Sequence, residues 1–188
     1  GADMRAVLIS IRPKWCRKIT GGEKSIEVRR SRPKLKTPFK CYIYCTAGDL
    51  QYETQDGMFL RRSGGREVVG EFICDKIYEI APRWKEYIVV GETKGTTNEI
   101  ARGSCLSFSD MKAYLGEKTG YGWHISNLVI YDTPRELSSF RRACKNDFWC
   151  ESCAMYSEHR ETCGNAALQI NRPPQSWCYI DEATSREN

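Results

Sequence analysis

The amino-acid sequence predicts an α+β fold: a small, mixed β-barrel of about six strands, with short helices at its ends and a zinc-type loop near the C-terminus. Three observations support this prediction. The 188 residues suffice for one domain with a hydrophobic core, whereas two full-sized domains would need more. The composition, 40% hydrophobic and 28% charged with 5 Trp, 10 Tyr and 6 Phe, excludes an intrinsically disordered chain. Apolar, strand-like runs also alternate with short helical patterns.

In the first third of the chain, the sequence predicts three strands, one helix and two loops. Pro13 favours the start of the helix, and the Gly21-Gly22 pair ends it. The polar segment 47–66 is rich in glycine and is predicted to be a long connection. The strands, rich in apolar, β-branched or aromatic residues, are predicted over 4–11, 25–30 and 39–46.

For the rest of the domain, the sequence predicts a long strand, two helices, another strand and a short final strand. Ser109 is the predicted N-cap of the second of these helices, and Gly116 is its terminator. The predicted elements cover, in chain order, residues 68–80, 96–106, 109–115, 121–131 and 177–180.

Five of the ten cysteines lie in the last quarter of the chain. Because no export signal is present, reduced thiols are expected rather than disulfides, and a clustered subset favours metal ligation. A Cys-x-x-Cys pair lets two thiolates converge on one tetrahedral ion, and Cys178 or His159 could replace one ligand. The alternative is reduced, unligated cysteine in a loop. The predicted ligands of a structural Zn²⁺ are Cys144, Cys150, Cys153 and Cys163.

Positive charge is concentrated at the N-terminal end. The formal net charge is +5, but residues 1–40 alone carry +9 and residues 41–188 carry −4. Such a bias favours an anionic partner, with nucleic acid as the first candidate. The alternative is an ordinary solvated face whose basic residues are balanced in space by acids from later in the chain.

The chain is predicted to act in the cytoplasm without a membrane partner, since it has no spanning apolar run and no signal peptide. We expect one domain over 4–180. Residues 1–3 resemble a cloning remnant and 181–188 a tail. The cysteine-rich segment 144–163 is expected to be an insertion before the last strand.

A charged motif precedes and enters the second predicted strand. Since residues two apart share a strand face, Glu27 and Arg29 project together while Ile26 projects to the other side. A carboxylate beside a guanidinium offers both an acceptor and a donor fork to a base or a phosphate. The alternative is a surface salt bridge without function. The motif reads Gly22-x-Lys24-x-x-Glu27-x-Arg29.

This string resembles the signature of the ASCH domain, a branch of the PUA-like superfamily, and further blocks resemble phage-associated members. The similarity spans residues 4–180. The supporting blocks are Leu8 with Pro13-x-Trp15, Gly70-Glu71-Phe72, Tyr121-Gly122-Trp123-His124-Ile125 with Tyr131-Asp132-x-Pro134, and Pro173-Pro174-Gln175-Ser176-Trp177.

The resemblance implies a PUA-like barrel whose cleft, beside the first helix and the motif strand, binds RNA or a modified nucleotide. Basic residues would contact the backbone or the base, and Trp15 would be a stacking surface. Trp15 could equally belong to the core, because its helix must bury one face. The candidate binding residues are Arg12, Lys14, Trp15, Lys18, Lys24, Glu27, Arg29 and Arg30.

The resemblance also implies an enzymatic alternative. One ASCH branch resembles an amidohydrolase that acts on acetylated cytidine with a lysine, a threonine and a downstream acid. Lys24 matches that lysine, but Glu27 stands at the position of the threonine, and segment 103–106 holds no acid; Glu99 and Asp110 are the nearest carboxylates.

Lys24 and Glu27 are therefore the catalytic candidates if the protein is a hydrolase. A metal-independent nuclease that adds Arg29 and His124 is a further alternative, although His124 can also be a structural, hydrogen-bonded residue. A protein-interaction adaptor using the zinc loop is the third functional class.

Overall fold

The structure is a computed structural model, and secondary structure accounts for most of its described residues. The described residues are 5–53, 57, 59–62, 64–83, 86–90, 97–144, 156–157, 162–163 and 165–182. The helices are α1 (Pro13–Thr20), α2 (Thr97–Ser104) and α3 (Phe108–Leu115). The strands are β1 (Arg5–Ile11), β2 (Ile26–Arg29), β3 (Phe39–Cys45), β4 (Leu50–Glu53), β5 (Phe59–Arg62), β6 (Glu67–Arg83), β7 (Glu86–Val90), β8 (Gly120–Arg135), β9 (Tyr156–Ser157), β10 (Thr162–Cys163) and β11 (Trp177–Asp181).

One mixed sheet dominates the molecule, as the sequence predicts. Its strands run in the order β11-β1-β3-β6-β8-β2, and β7 pairs with β6. Strands β1 and β3 are parallel, and the other neighbours are antiparallel. None of the described helices has the length and hydropathy that a bilayer-spanning helix requires.

The prediction of a closed barrel is wrong. In the part of the chain that the structure describes, the end strands β2 and β11 share no ladder of hydrogen bonds. The loop after β2 contacts β11 instead: the indole of Trp177 donates to Ser31 Oγ over 3.0 Å, and the backbone N–H of Lys34 donates to Tyr179 Oη over 2.7 Å. We call this gap between β2 and β11 the seam. Side-chain contacts take the place of strand pairing there.

Hydrophobic residues cover both faces of the sheet. The main core lies on the inner face and includes Trp123, which is fully buried. On the outer face, Ile26 and Val28 of β2 pack against Ile100 of α2 and Met111 of α3. The short strand β2 is therefore covered on both sides, and polar side chains on its inner face are held inside the protein.

Three local predictions need correction. Segment 47–66 is not only a connection, because β4 and β5 pair within it as an antiparallel hairpin, and strand β7 was not foreseen. The N-cap of α3 is Ser107, not Ser109. Ser107 accepts a hydrogen bond from the Asp110 backbone N–H, and the Asp110 carboxylate accepts one from Ser107 in return. This reciprocal capping places the start of the helix two residues earlier than expected.

Candidate nucleic-acid site

The charged motif lies on the inner face of β2. Glu27 pairs with Trp123 of β8, and directly opposed residues of an antiparallel pair project to the same side. Glu27 therefore points toward the core side of the sheet, as Arg29 does. Lys24, Glu27 and Arg29 are only 3%, 6% and 8% exposed, which excludes the alternative of an ion pair on an exposed strand face.

Glu27 is the centre of this charged cluster. One carboxylate oxygen, Oε1, accepts a hydrogen bond from Arg29 Nε over 3.0 Å and lies 2.9 Å from Arg29 Nη2. The other, Oε2, lies 3.3 Å from Lys24 Nζ but has no hydrogen bond of acceptable geometry among the described residues. A buried carboxylate can accept more hydrogen bonds than these, so Oε2 retains acceptor capacity.

Arg29 fixes the carboxylate and bridges the seam. Its Nη2 donates to the carbonyl of Ser10 over 2.6 Å. Its Nη1 donates to the carbonyl and hydroxyl oxygens of Ser176, over 3.3 Å and 3.1 Å. With the contacts to Glu27, every guanidinium nitrogen has a partner within the protein. Arg29 therefore holds Glu27 in place and ties β2 to the segment before β11.

Lys24 is held by α2 as well as by Glu27. Its ammonium donates to the carbonyl of Ser104 over 2.6 Å. That carbonyl lies close because α2 packs tightly on the start of β2: a Cβ at Gly103 would stand 2.8 Å from Ile26 Cδ1. Burial lowers the pKa of Lys24, and the charge of Glu27 offsets part of that effect.

The cluster lines a cavity of about 650 Å³ at the seam, which we call the seam pocket. Four of its lining residues are cationic, and among the described lining residues Glu27 is the only carboxylate. Six of the eight predicted binding residues line it: Arg12, Trp15, Lys24, Glu27, Arg29 and Arg30.

Lys14 and Lys18, the other two predicted binding residues, are on α1 but do not line the seam pocket. The Lys18 ammonium lies 3.1 Å from a carboxylate oxygen of Glu23. The Lys14 ammonium lies 4.7 Å from the centre of the Trp15 ring. Positive charge in the sequence therefore does not by itself show which basic side chains line the pocket.

Trp15 belongs to both the pocket and the core. Its ring is half-buried against the main core and lines the seam pocket, with the Lys24 ammonium 4.8 Å from its centre. A second aromatic ring, Tyr114 of α3, was not selected from the sequence. The Arg30 guanidinium lies 4.5 Å over the Tyr114 ring and donates to the Tyr114 carbonyl over 2.8 Å.

Other lining residues that the sequence did not mark come from distant segments. Gln175 and Ser176 lie in the Pro-Pro-Gln-Ser-Trp block that carried part of the resemblance, and this block was their only signal. Nothing in the local sequence pointed to the rest, which are Ser10, Val28, Ser31, Thr46 and Leu106.

The additional groups considered for catalysis lie elsewhere. Glu99 and Asp110 do not line the seam pocket, and the Asp110 carboxylate caps α3. His124 pairs with Ile26 across β2 and β8, so it projects to the outer face, where its Nδ1 lies 2.6 Å from Asp75 Oδ1. The structure thus brings Lys24, Glu27 and Arg29 together without His124.

The zinc prediction falls largely outside the described residues. Cys150, Cys153 and the alternative ligand His159 are not described, and Cys163 is described only as part of β10. Cys144 is exposed. Among the described residues, no three histidine, cysteine or acidic side chains form a group able to hold a metal ion. The zinc site therefore stays a prediction.

Comparison with known proteins identifies the fold. The sequence matches no protein-family model and no curated protein. The structure is similar to that of ASCH from Zymomonas mobilis, with a TM-score of 0.56, 16% sequence identity, and coverage of 98% of this chain and 93% of that chain. A tyrosine-to-phenylalanine mutant of that protein gives a TM-score of 0.54, and a serine-to-alanine mutant gives 0.55, both at 16% identity. The two mutant structures cover 96% and 98% of this chain, and 94% of theirs.

Proposed function

Proceeding from the ASCH fold that this chain shares with the Zymomonas mobilis protein, we propose that it binds RNA or a modified nucleotide in the seam pocket. The observation that carries this proposal is the pocket itself, in which a buried Lys24–Glu27–Arg29 cluster meets two aromatic rings and a cationic rim. A volume of about 650 Å³ lies within the range of small-molecule sites.

The rim and the interior of the pocket suit different parts of a nucleotide. Arg12 and Arg30 are exposed and can meet a phosphate without first losing their hydration in the protein interior. Inside, the Glu27 carboxylate lines the pocket and is an acceptor suited to a base N–H, and the Trp15 and Tyr114 rings provide apolar surface. Because Arg29 already immobilises the Glu27 carboxylate, this side chain loses little conformational entropy when a ligand binds.

Calorimetric titration tests the proposal. The ligands are the four ribonucleoside 5′-monophosphates, N4-acetylcytidine and short single-stranded RNAs, each at about 50 mM and about 200 mM salt. We expect saturable binding of at least one ligand, weaker at the higher salt for those that carry phosphate. Lys118→Ala, on an exposed residue outside the seam pocket, is the control and should bind like the wild type. Absence of saturable binding to the whole panel contradicts the proposal.

A second candidate function is hydrolysis of a modified nucleoside, such as acetylated cytidine, or of RNA, using Lys24 and Glu27. The lowered pKa of Lys24 favours it, because an amine that deprotonates more readily is a better nucleophile or proton carrier. Chromatography after incubation separates the two functions. A product that Lys24→Met does not form identifies an enzyme, whereas binding without product identifies a binding module.

We also propose that Cys144, Cys150, Cys153 and Cys163 hold a structural Zn²⁺. Elemental analysis of protein purified without added metal should find about one zinc per chain, and the Cys150→Ser/Cys153→Ser double variant should lose it. Less than about half an equivalent in the wild type contradicts this proposal.

A further inference from the structure

A second cavity adjoins the seam pocket. It has a volume of about 920 Å³ and shares three lining residues with the seam pocket: Ser10, Thr46 and Gln175. The two cavities therefore meet at a common wall. Either volume alone falls within the range of a site for one small ligand, so the two together exceed what a single nucleoside needs.

The common wall is a fixed part of the fold. The Ser10 hydroxyl donates to the carbonyl of Pro174 over 2.6 Å, and the Ser10 backbone N–H donates to the carbonyl of Ser176 over 2.9 Å. Gly65 has a positive φ of 59°, and any side chain there would collide with the Thr46 carbonyl oxygen. Glycine lets this segment press against Thr46 and form the adjoining side of the second cavity.

The two cavities differ in charge. The lining of the seam pocket has an excess of positive charge, whereas the second cavity has one cation, Arg66, against two carboxylates, Glu67 and Glu136. A phosphate is therefore disfavoured in the second cavity. Its apolar walls suit a flat, weakly polar group instead. They are formed by Tyr44, Leu137, Ile170, Pro173 and Pro174.

We propose that the ligand is a single strand of at least two nucleotides, with one nucleoside in the seam pocket and the next base in the second cavity. The joining phosphate lies over the common wall, where the Thr46 hydroxyl and the Gln175 amide are neutral hydrogen-bonding groups of the kind that often contact phosphates. The carboxylates of the second cavity meet the N–H groups of the second base. This inference rests on the proposed function.

Affinity as a function of ligand length tests this inference. We expect dinucleotides to bind at least about tenfold more tightly than the corresponding monophosphates, because a second base adds stacking and edge contacts in the second cavity. Asn171→Trp, at an exposed residue that lines only the second cavity, should abolish this gain and leave monophosphate affinity unchanged. Ser138→Trp, at another exposed lining residue, should do the same.

The control variant is Thr133→Trp, at an exposed β8 residue that lines neither cavity; it should keep the full gain. If monophosphates bind and dinucleotides bind no more tightly, the second subsite is refuted and the seam pocket stands. The same holds if Asn171→Trp and Ser138→Trp both retain the gain. If no ligand of any length binds, the proposed function itself fails.

Discussion

Two clusters of buried or half-buried charge have similar chemistry but different surroundings. The seam cluster is Lys24, Glu27 and Arg29. The second cluster, around β3 and β6, joins Lys40 to Glu71 over 3.1 Å and to Glu182 over 3.6 Å. Its carboxylates also accept hydrogen bonds from Tyr131, over 2.5 Å, and from Tyr42, over 3.2 Å. Both clusters therefore combine lysine and carboxylate groups in close contact.

The two clusters differ in whether they line a cavity, in the sign of their net charge and in their exposure to solvent. The seam cluster carries net positive charge, its side chains are at most 10% exposed, and it lines a cavity. The cluster of Lys40, Glu71 and Glu182 carries net negative charge, its lysine side chain is 28% exposed, and it lines neither of the two cavities described above. Buried charge alone therefore does not select a candidate site; buried charge that faces a cavity does.

The largest expected effect comes from removing the central carboxylate of the seam cluster. Glu27→Gln leaves Lys24 and Arg29 buried without a counter-charge, and we expect a loss of about 3–5 kcal/mol in the free energy of unfolding, measured in urea. Glu71→Gln, at the better-solvated cluster, should cost less, about 1–2 kcal/mol. Equal losses would contradict the contrast between the clusters.

The next-largest effect concerns the rim of the seam pocket. It compares Arg12, which immediately precedes α1, with Lys18 within α1. Arg12→Ala removes a cation that lines the pocket. RNA affinity should fall about tenfold, and the slope of log affinity against log salt should decrease by about 0.7. Lys18→Ala removes a cation of equal charge that lies outside the pocket and is paired with Glu23, so RNA affinity should hardly change. A loss shared equally by both variants would indicate non-specific attraction.

A smaller effect should appear at alkaline pH. Burial lowers the pKa of Lys24 below its ordinary 10.5, with Glu27 opposing the shift. Between the lowered pKa and 10.5 the unfolded chain holds a proton that the folded protein has released, so this group adds stability as pH rises through that window.

Urea unfolding of the wild type and of Lys24→Met at pH values up to about 10.5 isolates this contribution, because every other ionisable group is common to the two proteins. The free energy of unfolding of the wild type should rise relative to that of the variant as pH increases. A pH-independent difference would show that Lys24 keeps its proton throughout.

The smallest effect is expected at the outer-face pair of Asp75 and His124. Burial raises the pKa of Asp75, but the hydrogen bond and charge of His124 outweigh it, so the pKa lies below its ordinary value. The stability from this pair is present above pH 3.8 and is lost as pH falls through the lowered pKa. His124→Ala should cost less than about 1 kcal/mol at neutral pH and leave nucleotide affinity unchanged. A loss of binding would place His124 in the site after all.

The sequence revealed the local part of the site but not its surroundings. Strand periodicity is a property of neighbouring residues, so the common face of Glu27 and Arg29 was predictable. The partners that bury them were not, because Ser104 is 80 positions from Lys24 and Ser176 is 147 positions from Arg29.

The same contrast between local patterns and contacts distant in sequence explains which features of the fold were predictable. The types of the longer elements followed from local patterns, although the β4–β5 hairpin and β7 did not. Closure of the barrel depends instead on how the two end strands meet. There, the Ser31 hydroxyl and the Lys34 backbone N–H, both in the loop after β2, form hydrogen bonds with side chains of β11 in place of strand pairing. Lys14 and Lys18 were predicted from their charge and from the resemblance, which implies a cleft beside the first helix; neither determines which side chains of that helix line the pocket.

Because no backbone ladder among the described residues crosses from Arg29 to Ser176, the width of this opening is set by a few guanidinium, indole and hydroxyl contacts. Substitutions among those contacts can enlarge or narrow the aperture while the six-strand framework keeps all of its own hydrogen bonds. The indole and hydroxyl contacts can therefore vary with the ligand, whereas Arg29 is more constrained, because it both spans the opening and neutralises the buried Glu27 carboxylate.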